Sequence, residues 1–417
     1  MSMYEAYKDS GAEWLGEIPA NWKTGVIGSL YTLRNTKVSD ADYPPLSVTM
    51  RGVVPQLESA AKTDDHDARK LVLKGDFAIN SRSDRRGSCG ISDYDGSVSL
   101  INTVLTPRGV MNPRYYNWLF HTVQFADEYY KNGCGIVDDL WTTRWNEMKR
   151  ILIPVPSDVE QAAIAEYLNS KIAAIDAIVA EAKASIEEYK AWKTALVNDA
   201  VTHGVERNAP CEDSGIYWIG HMPKHWGIKR LKYMFAIKKD IAGEAGHTIL
   251  AITQQGVKPK NMADKGQFAA DYSNYQLVCT GDFAMNHMDL LTGWVDISAH
   301  DGVTSPDYRV FYALSPNEIC KDYYKHVFQN CYRCRIFYGL GHGVSGFGRW
   351  RLPADMFLNF VLPVPPLKEQ QEIAEYLNTQ CAQIDDLIAE KEALVADLEA
   401  YKKSLIFEVV TGKRKVV

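Results

Sequence analysis

Two stretches of the chain carry apolar residues at coiled-coil spacing. In the first, Leu168, Ile172, Ile175, Val179, Ala182, Ile186, Tyr189, Lys193, Leu196 and Ala200 step alternately by four and three residues. In the second, Leu377, Cys381, Ile384, Ile388, Lys391, Val395, Leu398, Lys402, Leu405 and Val409 keep the same rhythm. A stripe sustained in this way predicts a helix pair with a coiled-coil seam. Each helix would run about 40 residues, or about 60 Å. The plainer alternative, an amphipathic helix lying on its own domain, fits less well because that length outreaches a small domain. Neither stretch has another partner of matching length, so the two are expected to pair with each other. Both follow a Pro-x-Pro, which suits a strand or loop leading into a helix start.

Away from these stretches the period changes. Short β-rich runs such as LVLKGDFAIN and YQLVCTGDFAMN are punctuated by Gly and Asp turn signals. Each body then carries an aromatic segment, YYNWLFHTVQFADEYY or YYKHVFQNCYRCRIFY, that reads as an amphipathic helix, its aromatics expected in a core, with a stacking platform for bases as the alternative. The expected class is α+β, with boundaries at 1–157, 158–203, 204–366 and 367–417 for body, helix, body and helix.

The pattern occurs twice because the sequence does. Residues 9–23, DSGAEWLGEIPANWK, return as DSGIYWIGHMPKHWG at 213–227. GDFAIN at 75–80 returns as GDFAMN at 281–286, and ISDYDGSVS at 91–99 as ISAHDGVTS at 297–305. The segment 154–181 matches 363–390 at 16 of 28 positions without a gap. Repeats of this size are duplicated domains rather than solenoid units. By contrast, 24–74 and 228–280 read as unrelated inserts in a common scaffold.

Composition bounds the function. With 417 residues, 46% apolar and 24% charged, the chain is a globular protein able to bury two cores. No apolar run reaches membrane-span length and the start, MSMYEAYKDS, lacks a signal pattern, so a cytoplasmic location is expected. The eight cysteines form no framework and read as free thiols; Cys331 and Cys334 make a C-x-x-C with His342 nearby but lack a second ligand pair. The net charge of −6 is unevenly held: the two helical segments carry −7 and the two bodies +1. Nucleic acid therefore remains open as a partner.

Local clusters sharpen that point. SRSDRRGSCG places Arg82, Arg85 and Arg86 in a loop straight after a strand. The second body offers Lys258 and Lys260 in GVKPK, and Arg349 and Arg351 in GRWRLP. Arginine makes bidentate contacts to guanine edges, and both basic residues neutralise phosphates; the same residues also serve solubility. Catalytic patterns are missing. There is no P-loop, GHGVSG at 341–346 is followed by RWRLP where a dinucleotide-binding helix should begin, and DYPPL has the wrong order for an adenine methyltransferase. The fragment EAK at 181–183 lies in the helical region rather than in a nuclease carboxylate cluster.

Taken together and in this order, the doubled DSG-x-x-W opening, GDFAIN with YDGSVS, the paired Pro-x-Pro…EQ…IAEYLN segments and the terminal LIFEVVTGK resemble the specificity (S) subunit of type I restriction–modification systems. The resemblance covers essentially the whole chain. It implies two pseudo-two-fold related α/β target recognition domains separated by two long antiparallel coiled-coil helices. Each domain would read one half of a bipartite, asymmetric double-stranded DNA site. The helices, through Leu168, Ile172, Ile175, Val179, Ile186, Tyr189 and Leu196 against Leu377, Ile384, Ile388, Val395, Leu398 and Leu405, would set the spacer and dock two modification subunits. Those partners would supply S-adenosylmethionine and flip the target adenine, and restriction subunits would add ATP- and Mg-dependent chemistry. The chain itself would be non-catalytic and hold no metal. Base readout is then expected where the halves differ: Arg51, Arg82, Arg85, Arg86, Thr142, Thr143 and Arg144 in the first, and Lys258, Lys260, His342, Arg349 and Arg351 in the second. An open alternative is a two-headed scaffold that binds proteins through its coiled coil and reads no DNA.

Overall fold

The structure, a computed structural model, describes residues 3–57, 67–109, 111–135, 141–260, 272–343 and 350–416. It divides into two compact units, one formed by residues 1–183 with 392–417 and the other by 184–391. A central helix, Asp158–His203, and a terminal helix, Leu367–Val410, each contribute part of their length to both units.

In the first unit an antiparallel sheet runs in the order Cys89–Ile91, Phe77–Asn80, Asn102–Pro107, Tyr31–Arg34. The second unit repeats it as Val295–Ile297, Phe283–Met285, Arg309–Ala313, Phe235–Lys238. Both sheets pack against aromatic helices. In the first unit Tyr115, Tyr116, Phe120 and Phe125 meet Tyr31 and Phe77 in one buried cluster; in the second, Tyr323, Tyr324 and Phe328 meet Phe235, Phe283 and Phe311. The aromatic residues are core, as their spacing indicated.

Each aromatic segment is broken, where the sequence pattern predicts one helix. The first splits into Pro113–Phe120 and Val123–Lys131, with Thr122 capping the second piece by accepting from the Phe125 amide at 3.2 Å. The second splits into Lys321–Arg333 and Ile336–Gly339 across Arg335, which sits at φ 55°. The apolar rhythm continues through both breaks because the pieces bury the same side.

The doubled motifs prove to be seats for the helices. Trp14 Nε1 donates to the Leu152 carbonyl at 3.1 Å, and Trp218 Nε1 to that of Val361 at 3.2 Å. Trp22 Nε1 donates to Glu160 at 3.0 Å and Trp226 Nε1 to Glu369 at 2.9 Å, so each motif grips the first turn of a long helix. The neighbouring glutamines complete the seat. Gln161 accepts from the Asn112 amide and donates to the Pro156 carbonyl, both at 2.9 Å; Gln370 does the same to Cys320 and Pro365.

Each seat also takes the end of the other long helix. Tyr115 donates to the Val410 carbonyl at 2.7 Å, and Tyr323 to that of Val201 at 3.1 Å. Just beyond, Gly412 and Gly204 turn at φ 75° and 77° against Trp22 and Trp226. At either glycine a Cβ would lie 3.1 Å from the indole, so these positions require glycine twice over. The residue after Gly412 is anchored too: Lys413 Nζ donates to the Leu15 carbonyl at 2.6 Å.

Between the seats the helices pair within each unit. In the first, Lys402 meets Asp176 at 2.5 Å and Lys183 meets Glu399 at 3.6 Å, an antiparallel register. In the second, Lys193 meets Asp385 at 2.6 Å. Leu168, Ile172, Ile175, Val179 and Leu405 are buried in the first unit, and Ile186, Leu377 and Ile384 in the second. Val395 and Leu398 are half-buried in the first unit, as are Tyr189, Leu196 and Ile388 in the second, where Val197 takes over the buried position beside Leu196.

Candidate nucleic-acid interface

The expected basic loop of the first unit folds as a short 3-10 turn, Ser83–Arg85, between strands Phe77–Asn80 and Cys89–Ile91. Arg82, Arg85 and Arg86 are all exposed. Arg85 lies 3.6 Å from Asp84; Arg86 pairs with Asp127 at 3.2 Å and stacks 3.6 Å from the Tyr130 ring centroid. Exposed pairs of this kind are worth about 0–1 kcal/mol, so they hold the guanidinium groups in place without preventing exchange for a phosphate or base.

A second segment is tied to this loop. Thr142 forms backbone bridges with Arg82 and with Cys134, and the Thr143 amide donates to the Ser81 carbonyl at 2.9 Å. Arg144 is exposed beside them. Thr143 is not available: it is 2% exposed, and its hydroxyl donates to the Tyr129 carbonyl at 2.7 Å while its own carbonyl accepts from Tyr129 at 2.9 Å. Its polar groups are spent on anchoring the loop to Tyr129.

The second unit builds the same face from other residues. Because the offset between GDFAIN and GDFAMN continues without a gap, His287–Gly293 stands where Ser81–Gly87 stands in the first. Here Met288, Leu291 and Thr292 replace the three arginines, and Asp289 closes the turn by accepting from the Leu291 and Thr292 amides at 2.9 and 3.1 Å. Burial pushes its carboxyl up, but the Thr292 hydroxyl, which also donates to it, and these two amides together hold it below the usual range. The tie to a second segment also recurs: Leu352 N–H donates to the His287 carbonyl at 2.9 Å, and His342 bridges Arg351. Trp141 donates to the Tyr130 carbonyl at 2.9 Å and Trp350 to that of Tyr338 at 2.8 Å, each indole pinning one such segment. His342 and Arg351 are exposed; Arg349 lies outside the described residues.

One further element escapes sequence reasoning. The stretches that read as unrelated contain a common hairpin, Leu46–Thr49 with Gly52–Pro55 and Leu250–Thr253 with Gly256–Pro259. LSVTMRGVVP and LAITQQGVKP share Leu, Thr, Gly, Val and Pro in register. Arg51 is at the exposed tip of the first. Lys258 is exposed on the second, and Lys260, half-buried, follows it with its amide bonded to the Ile249 carbonyl at 2.8 Å. Gln254 and Gln255, at the second tip, were not among the expected residues; ungapped comparison of the two decapeptides is the signal that finds them.

Among the described residues no group of His, Cys, Asp and Glu is arranged to hold a metal ion. Cys331 is buried in the aromatic core, and Cys334 donates to Asn330 Oδ1 at 3.3 Å. No helix among the described residues is long and apolar enough to cross a membrane.

No protein-family model matches the chain. Among curated proteins it is similar to the type I restriction enzyme MjaVIII specificity subunit of Methanocaldococcus jannaschii, at 24% identity over 72% of this chain and 70% of that one. Among solved structures it is similar to a chain from a study of complex assembly and conformational transition of the type I R-M system, with a TM-score of 0.69 over 94% of this chain and 98% of that one at 12% identity. It is also similar to the HsdS subunit from Thermoanaerobacter tengcongensis, with a TM-score of 0.53 over 95% and 98% of the two chains at 13% identity. At such identities the shared property is the fold.

Proposed function

We propose that this chain is the DNA-specificity subunit of a type I restriction–modification complex, each unit's body reading one half of a bipartite, asymmetric site. One observation carries the reading: two equivalent faces stand on equivalent seats, yet one presents Arg51, Arg82, Arg85 and Arg86 where the other presents Gln255, Met288, Leu291 and Thr292. Shared mounting with divergent tips is what two different half-sites require. The chain is non-catalytic, in keeping with a curated relative named as a specificity subunit.

The paired helices set the unread spacer and dock two N6-adenine methyltransferase subunits. Apolar side chains left exposed on them support that role: Ile178, Leu394 and Tyr401 in the first unit, Trp192 and Leu387 in the second. The partners supply S-adenosylmethionine, ATP and Mg, and the complex acts in the cytoplasm. Arg82, Arg85, Arg86 and Arg144 in the first body, and Lys258, Lys260, His342, Arg349 and Arg351 in the second, contact phosphates or bases, with Thr142 beside the first group.

Mapping methylated adenines in the host genome with and without this gene tests the reading. The expected result is loss of one motif made of two specified parts around a fixed unspecified gap. Methylation unaffected by the deletion would overturn it and favour the protein-binding scaffold.

A further inference from the structure

The two hairpins are one device with different tips. In both, the threonine before the turn locks the backbone. Thr49 Oγ1 donates to the Gly52 carbonyl at 3.0 Å and accepts from the Arg51 amide at 3.1 Å; Thr253 Oγ1 does the same to Gly256 and Gln255 at 3.0 and 3.2 Å. Gly52 and Gly256 follow at φ 105° and 108°, where other residues are strained. The turn geometry is thus fixed by residues the hairpins share, and the two residues left to vary point outward. Met50 is 71% exposed, and Arg51, Gln254 and Gln255 are exposed as well.

Each tip joins the face that carries the divergent loop. A Cβ on Gly90, in the strand that follows the Arg82–Arg86 loop, would lie 2.6 Å from the Gly52 Cα, so the first hairpin is laid directly on that strand. In the second unit Gln254 Nε2 donates to the Thr292 carbonyl at 3.4 Å, tying tip to loop. Gln254 and Gln255 border a polar cleft with Asp296, Lys325 and Arg333.

We propose that these tips are specificity-determining: Arg51 reads a guanine in one half-site, and the Gln254–Gln255 pair reads an adenine in the other. The chemistry follows from side-chain geometry. Arginine donates twice to guanine O6 and N7, whereas a glutamine amide both donates to and accepts from adenine. The locked turn holds either group at low entropic cost. This inference rests on the DNA-reading function proposed above.

The test uses the complete complex with its modification subunits, selecting from a duplex library randomised over the wild-type site at one fixed salt concentration. Arg51→Gln is expected to lower the preference for guanine at a single base pair by roughly ten-fold or more. The Gln254→Ala/Gln255→Ala double variant is expected to relax a single base pair in the opposite half-site. Unchanged thermal unfolding confirms that the exposed substitutions leave the turns intact. Uniform weakening with every preference retained makes the tips phosphate contacts and overturns the assignment, as does a change confined to the same half-site for both variants. A wild-type complex that selects no bipartite site refutes the DNA-reading function, and the tip assignment falls with it. A selected bipartite site with unresponsive tips refutes the tip assignment alone.

Discussion

At the scale of single residues, the repeated GDF turn shows how a buried charge is made tolerable. Asp76 is 2% exposed and accepts from Arg34 Nε and Nη2 at 2.5 and 3.1 Å, from the Leu73 amide at 2.9 Å and from Thr106 at 2.9 Å. Asp282 in the second unit accepts from Lys238 at 2.8 Å and the Cys279 amide at 2.9 Å. Removing one member of such a pair strands the other, so Asp76→Ala should cost about 3–5 kcal/mol, read by hydrogen exchange across the first sheet. His326 gives a pH signature. Its Nε2 donates to Asn378 Oδ1 at 2.8 Å, and burial, opposed by that bond, pushes its pKa down to about 4. As pH falls below about 6.5, the unfolded chain gains a proton there that the folded chain refuses until about pH 4. Across that window His326 should remove about 1.4 kcal/mol of stability per pH unit. His326→Gln should flatten the acid side of a thermal-unfolding profile. Trp118, which makes the matching contact to Asn169 in the first unit, contributes no such slope.

At the scale of elements, the terminal helix is buried towards its two ends and only half-buried or exposed along its middle. Leu168 and Leu377 are fully buried, whereas Ile388, Val395 and Leu398 are half-buried. Leu377→Ala should therefore cost about 2–5 kcal/mol, and Ile388→Ala less than half as much, measured by urea denaturation of the two variants in parallel. The helices and their register of apolar positions were legible because a four-three period sustained from Leu168 to Ala200 suits little besides a long helix. The seats were legible only as repetition. Nothing in the repeated stretch 9–23 announces that its second tryptophan, Trp22, will grip a glutamate on a helix some 140 residues away, since that contact is made by the fold. The hairpins were missed because five framework residues among ten, diluted in a diverged stretch, look like chance until a sheet register aligns them. Thr143 looked like a surface reader because a threonine beside basic residues carries no local sign of burial; a tyrosine on a preceding helix buries it.

At the scale of the molecule, charge is segregated: acidic helical segments join bodies of nearly zero net charge, and the first body exposes Arg82, Arg85, Arg86 and Arg144 on two segments that are tied together. Replacing Arg82, Arg85 and Arg86 together by Ala should weaken DNA binding by the complex. It should also reduce the slope of log affinity against log salt by up to about three, at about 0.9 for each phosphate no longer neutralised. An unchanged slope, read by anisotropy titrations at several salt concentrations, would place those residues off the DNA. The wiring of the two units has a further consequence, for biosynthesis. The second unit is one uninterrupted run, 184–391, but the first needs both 1–183 and 392–417. On the ribosome the later-encoded unit has all its residues first. The earlier-encoded one must wait with Leu168, Ile172, Ile175 and Val179 uncovered until Leu405, Val409 and the glycine turn at Gly412 emerge. A stop codon shortly after 391 would therefore spare the second unit and cripple the first, an inverted polarity in which damage at the end of the gene is felt at the beginning of the protein.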